Sequence, residues 1–193
     1  PINAEESALR TLLVPSLINN LVYNVSQGNR DVRLFETSRV FLQNDGTLPD
    51  ERHYLGAIYF KEKTPSLWKD ETPDCYVVKG TIEAMMEELK IRDLRYQDTS
   101  QPFLHPGKSC DIFVSGVNIG FMGVLHPDIT EKLDLKASRP EIVIVEMDID
   151  RLLPFAPETM TYSHIPRFPF IDRDIAIIVN ESVKAALIID EIQ

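Results

Sequence analysis

The chain has 193 residues, of which 44% are hydrophobic and 26% charged, and a formal net charge of −10 at pH 7. That length can bury a full core and the composition is that of an ordinary soluble globular protein, while the acidic balance speaks against broad, nonspecific nucleic-acid binding, which needs cationic surface against phosphates. No apolar run approaches the roughly 18–20 residues of a membrane-spanning helix, no signal-peptide pattern opens the chain, and the two cysteines, Cys75 and Cys110, suit a reducing cytoplasm as buried thiols.

Residues 1–42 carry four Lys/Arg against four Asp/Glu, and residues 43–161 thirteen against twenty-one, so the acidity sits in the middle of the chain as a solvated face. Residues 1–8 read as a polar lead-in. From Pro15 onward, Leu17, Leu21 and Val25 fall at i, i+4 and i+8, with Ile18 and Val22 widening the stripe, which predicts an amphipathic helix. Gly28 supplies its end, because glycine tolerates the left-handed position after a helix. Over residues 32–42, Val32, Leu34, Val40 and Leu42 point one way and Phe35 and Phe41 the other. Apolar bulk on both faces predicts a central strand.

Asn44-Asp45-Gly46 has turn chemistry, and residues 53–60 alternate well enough for an antiparallel partner. Residues 61–73 read as a surface loop in which Trp68 folds back onto the core. A second helix is predicted over 74–91, with Val78, Ile82, Met85, Met86 and Leu89 on its apolar side and Asp74 as its N-cap. Residues 103–109 read as a loop, then 110–115 and 118–125 as two strands around Gly116-Val117, the glycines at 120 and 123 marking close approach or a bulge. Pro127 and Asp128 open a short helix to about Leu133, and residues 141–149, EIVIVEMDI, read as a buried strand. Residues 153–169 hold four of the thirteen prolines and form a linker. Beyond it, 173–180 reads as a strand and 183–193 as a helix capped by Ser182. Hairpin-joined strands with interposed helices predict an α+β fold, an antiparallel sheet flanked by helices.

Several stretches carry a resemblance. They are Leu9-Arg10-Thr11 with Leu13 and Pro15, Tyr23-Asn24, NRDVRLFE from Asn29 and Arg39-Val40-Phe41. Further on come Lys79-Gly80, FLHPGKS from Phe103, GVLHP from Gly123, and Arg167-Phe168-Pro169 before Arg173-Asp174. In this order they span nearly the whole chain and resemble the C-terminal part of bacterial phenylalanyl-tRNA synthetase β chains. The resemblance implies a core shaped like a class II synthetase catalytic domain over 1–153, the proline-rich linker over 154–169, and over 170–193 the truncated start of a ferredoxin-like domain that contacts the tRNA anticodon. It implies a piece of a longer polypeptide. The whole cytoplasmic enzyme, a heterotetramer of α and β chains, would attach phenylalanine to its tRNA with ATP and Mg²⁺.

A class II core stabilises charge gathering on phosphate oxygens with arginines and Mg²⁺. In the catalytic α chain of such enzymes, the strand resembling Arg39-Val40-Phe41 runs straight on into an arginine, and here Leu42 stands in that place. The last motif of such cores is a glycine-rich strand-to-helix junction ending in an adenine-stacking arginine. The corresponding stretch here puts Glu146 and Asp148 at the glycine positions, with Arg151 read as a helix-surface arginine. No catalytic, cofactor-binding or metal-binding residue is therefore assigned. His105, His126 and His164 with Cys75 and Cys110 lack zinc-ligand spacing, and Gly107-Lys108-Ser109 lacks the upstream glycine of a phosphate loop. Editing and the β chain's own Mg²⁺ site belong, by the resemblance, to domains upstream.

The favoured reading is a structural module contacting the catalytic α chain through residues 9–24 and 32–41, with Arg10, Arg30, Arg33 and Arg39 as candidate contacts, arginine being favoured at interfaces. Contacts with tRNA would run through the full-length β chain. The alternatives are a core that binds ATP or an adenylate in its own right, and a small-molecule-sensing α+β domain.

Overall fold

A computed structural model describes residues 8–46, 48–62, 74–133, 135, 141–157, 159, 168–183 and 185–192. The expectations for residues 1–7, for Trp68 and for most of the linker lie outside these. The chain divides into two units, Pro1–Thr159 and Met160–Gln193.

The first unit is α+β, with helices α1 (Val14–Ser26), α2 (Asp74–Glu88), α3 (Pro127–Lys132) and α4 (Ile149–Leu152). Its strands are β1 (Asp31–Leu42), β2 (Asp50–Lys61), β3 (Leu94–Gln97), β4 (Leu104–Val114), β5 (Val117–Leu125) and β6 (Ile142–Asp148). They form one six-stranded sheet in the order β1-β2-β6-β5-β4-β3, with every neighbouring pair antiparallel.

Helix α1 buries Leu17, Leu21 and Val25 of the predicted stripe, with Val14 besides, against Ile58, Phe60, Ile142 and Ile144 on one sheet face, while Ile18 and Val22 are half-buried. It comes so close to β2 that a Cβ on Gly56 would lie 2.8 Å from Leu13 Cβ. Helix α2 covers the other face, with Val78, Ile82 and Met86 against Val143, Val145 and Met147. It stops at Glu88, short of the predicted 91, where Lys90 turns left-handed at φ 58° and leaves Leu89 exposed. With a layer on each face, all seven residues of β6 are buried. Complete burial of a large apolar side chain contributes about 1.5–3 kcal/mol, so each such residue of β6 is a substantial part of the fold's stability.

Two expectations fail within this unit, and one strand was not foreseen. Strand β1 is the outer strand of the sheet, not a central one. Its Val32 and Val40 are buried on the α1 side, but α2 does not extend over the opposite side, and Phe35 is left 75% exposed. Two apolar faces do not make a strand central if one of them meets solvent. Residues 104–109 belong to β4, not to a loop; Pro106 and Gly107 fall where the register with β5 shifts, between Leu104 and Ser109, a place a strand tolerates proline. Strand β3 is too short for its alternation to announce it. The half-buried thiols Cys75 and Cys110 are free, and burial pushes the latter up to about 11.

In the second unit, residues 168–180 form no regular structure and a helix, α5, covers Ala185–Ile192. The predicted strand over 173–180 is not formed. A strand needs a neighbour for its N–H and C=O groups, and the described residues of this unit hold none. Asn180 Oδ1 accepts from the Ser182 N–H at 3.0 Å and hydroxyl at 2.8 Å, and the helix start that Ser182 was expected to cap adjoins residue 184, outside the described residues.

Candidate functional site: a plugged cleft and an open sheet edge

Two features of the first unit bear on function. The first is a cleft of about 320 Å³ whose lining includes Thr11, Leu42, Tyr54, Asn118, Glu146 and Asp148. It opens where the end of β6, the start of β5 and the segment before α1 converge. Gly120 makes that convergence possible, since a Cβ there would lie 2.1 Å from the Glu146 carbonyl oxygen.

Glu146 is 1% exposed, and its Oε2 accepts from the backbone N–H groups of Leu13 at 2.9 Å and Val14 at 3.1 Å. Leu13, at the N-cap of α1, offers no side-chain oxygen of its own, so a carboxylate from the centre of the sheet satisfies the helix end. Burial pushes Glu146 up to about 7, against the two backbone N–H bonds and Arg10, which favour the charged form. Oε1, buried as well, has no hydrogen-bond partner among the described residues.

Asp148, also buried, caps α4 by accepting from the Arg151 N–H at 3.0 Å through Oδ1. Its Oδ2 takes Arg52 Nη1 at 3.0 Å and Arg151 Nε at 3.4 Å. Arg151 also donates from Nη1 to the Asn118 carbonyl at 3.2 Å. The arginine that sequence places at the surface of a helix thus lines the cleft, but it is anchored to the protein's own acid. Arg52, absent from the sequence-based candidates, has its pKa raised by its bonds to Asp50 and Asp148. Its signal is weak, one charged residue in an alternating strand. Glu146 could have been found as a site residue by its place within an otherwise apolar run.

The second feature is the outer strand. Arg10 donates from Nε to the Arg39 carbonyl at 3.1 Å, the Phe41 N–H donates to the Arg10 carbonyl at 2.9 Å, and Arg10 also pairs with Glu36 and Ser38. These bonds close the edge around residues 39–41. Toward the other end, an apolar groove of about 480 Å³ runs between β1 and α2, lined among others by Phe35, Ala57, Tyr59, Val77 and Met85. Arg33 stands at its margin, 5.2 Å above the Tyr59 ring and bonded twice to Asp31 at 2.9 Å.

The four candidate arginines are not gathered in one site. Arg33 and Arg39 share a face of β1, Arg10 staples the lead-in to that strand, and Arg30 meets Glu62 at 3.4 Å beyond its start. Arg39 donates to Glu51 at 3.0 Å. Each has an acidic partner within this chain, and Phe35 is the residue of this edge that charge-based reading overlooks.

The family model for the phenylalanyl tRNA synthetase beta chain CLM domain matches residues 1–149. The chain belongs to this family. Its phenylalanine–tRNA ligase beta subunit relatives include one from Syntrophus aciditrophicus, 35% identical over 189 residues that make up 96% of this chain and 23% of the relative. The Staphylococcus saprophyticus beta subunit is 36% identical over 98% of this chain and 24% of its own length, and that of Halalkalibacterium halodurans 36% over 96% and 23%. The chain therefore spans about a quarter of the length of these beta subunits. No helix among the described residues is long and apolar enough to cross a membrane. Nor do they hold a group of three or more metal-ligating side chains.

Proposed function

We propose that this chain is a non-catalytic structural and subunit-interface module of phenylalanine–tRNA ligase, with a core built like a class II synthetase catalytic domain. The observation that carries this is the state of the cleft. In such a core, the cleft would admit ATP over glycines at the strand-to-helix junction, and a substrate polyanion would meet arginines. Here Glu146 and Asp148 occupy that junction, Leu42 replaces an arginine, and Arg52 and Arg151 are bound to Asp148. A triphosphate would enter against buried carboxylates, with Arg151 of the lining and Arg52 beside it already committed to Asp148.

On this reading, phenylalanine activation with ATP and Mg²⁺ belongs to the catalytic α chain in the cytoplasmic heterotetramer, and the β1 edge with Arg33, Arg39 and Phe35 is the surface offered to it. Residues 170–193 would begin the ferredoxin-like domain through which the full-length β chain meets the tRNA anticodon. Calorimetric titration of the chain with ATP and Mg²⁺ tests the non-catalytic assignment. Silence to millimolar ATP is expected; saturable binding in the micromolar range would restore the reading of an ATP- or adenylate-binding core.

A further inference from the structure

The segment leading into α1 is anchored at two places. At the cleft, Glu146 Oε2 accepts from the Leu13 N–H at 2.9 Å and the Val14 N–H at 3.1 Å. At the sheet edge, the Arg10 carbonyl takes the Phe41 N–H at 2.9 Å, while the Arg10 guanidinium reaches the Arg39 carbonyl at 3.1 Å and Glu36 at 2.8 Å. Residues 10–14 are thus a strap running from the outer strand to the centre of the sheet. Its ion pair at β1 is part-exposed and contributes little. The anchor at Glu146 is strong or weak according to the charge it carries. That side chain is 1% exposed and its Oε1 has no partner among the described residues. A neutral carboxyl is tolerated in such a place, but a carboxylate with one oxygen buried and unpaired is not, unless water reaches it.

We propose that residues 10–14 form a proton-controlled strap, closed over the end of β1 while Glu146 is neutral and released when Glu146 ionises. Release lets water reach the carboxylate and frees the edge of β1 at residues 39–41, beside the stretch that is already open near Phe35. Burial pushes Glu146 up to about 7, which puts the change near neutral pH; the two backbone N–H bonds and Arg10 of the strap favour the charged form but do not outweigh it. The other groups facing the cleft are Tyr54 of β2, Asp111 of β4, Asp148 of β6 and Arg151 of α4. Asp148 takes both Arg151 and Arg52 of β2, and Asp111 receives the Asn118 amide at 3.4 Å. Tyr54 is raised by burial and stays a neutral phenol. Strand β5 has no ionisable residue, and α1 has none in its first two turns. No cation is therefore left over to hold Glu146 as a carboxylate once it has lost its proton. The device needs neither catalysis nor a bound partner, so it goes beyond the non-catalytic assignment without depending on the subunit contact.

Hydrogen exchange of the 193-residue chain, followed amide by amide by NMR and corrected for the intrinsic pH dependence of exchange, tests this. The N–H groups of Leu13, Val14 and Phe41 are the reporters, since each makes one of the strap's own bonds. Their protection should fall at least about tenfold between pH 5 and pH 8, because the open strap, with an ordinary carboxyl, binds fewer protons than the closed one. At pH 8 it should also lie at least about tenfold below that of Ile144 in β6, the mark of a local opening. Glu146→Gln keeps an acceptor for the two N–H groups and cannot ionise, so its protection should stay constant across the range. Protection that ignores pH in the wild type, that falls equally in the variant, or that matches Ile144 at pH 8 would overturn the proposal. Should the variant fail to fold, the carbon-13 shift of the Glu146 carboxyl in the wild type decides instead. A midpoint above about pH 6 is expected, and one at or below about pH 5, that of an ordinary carboxyl, would overturn it. None of these results bears on ATP binding or on the α chain, which separates this proposal from the one above.

Discussion

At the scale of single residues, Glu146 holds the largest electrostatic imbalance. Its folded value of about 7 lies above an ordinary 4.5, and burial is the cause. Because the folded state then binds more protons than the unfolded one between these values, this group makes stability fall as pH rises from about 4.5 to about 7, with the loss complete above. The size of the loss is at most roughly 3 kcal/mol. Urea unfolding at pH 5 and pH 8 should therefore show a steeper decline for the wild type than for Glu146→Gln; equal slopes would mean that the carboxyl is not held in this way. Asp148→Ala is a separate case. It removes the cap of α4 and strands Arg52 and Arg151, and should cost about 2–4 kcal/mol in the same assay.

At the scale of elements, close approach sets what can change. Gly120→Ala would drive a Cβ into the backbone of β6, 2.1 Å from a carbonyl oxygen, and should cost more than about 3 kcal/mol or prevent folding. Gly56→Ala would meet Leu13 Cβ at 2.8 Å, which moves only with its backbone, and a Leu17 methyl at 3.1 Å, which can turn aside, so about 2–3 kcal/mol is expected by thermal unfolding. Reversal of that order would mean that β5 and β6 are not so tightly apposed.

These elements also show how far sequence reading reaches. Helix α1, helix α2 and β6 were legible because their patterns follow from burial against a neighbour on the expected side. The outer place of β1 was not, because alternation reports which faces are apolar and is silent on who pairs with each backbone edge. The residues of β4 around Pro106 and Gly107 look like a loop because the register shift that accommodates them is a property of two strands together. Residues 173–180 alternate as a strand would, yet without a pairing strand the pattern has nothing to act on. In the cleft, the two acids at the junction were legible as charges within the otherwise apolar run of β6. Their partners, the N–H groups at residues 13 and 14 and the distant Arg52, lie 133, 132 and 96 positions away and belong to tertiary structure alone.

At the scale of the whole molecule, the first unit combines a cleft occupied by its own carboxylates with a sheet edge that leaves Phe35 and a neighbouring apolar groove open. Contiguous apolar surface of this kind is what an association face presents, and Arg33 at its margin suits an interface rim. On this reading the first unit works by holding another chain. Co-purification of the fragment with the catalytic α chain, read by size-exclusion chromatography with light scattering, tests it most directly. A stable mixed complex is predicted, weakened by about tenfold or more when Phe35→Asp is combined with Arg33→Glu and Arg39→Glu. Separate elution of the two chains, or a complex indifferent to those substitutions, would contradict it.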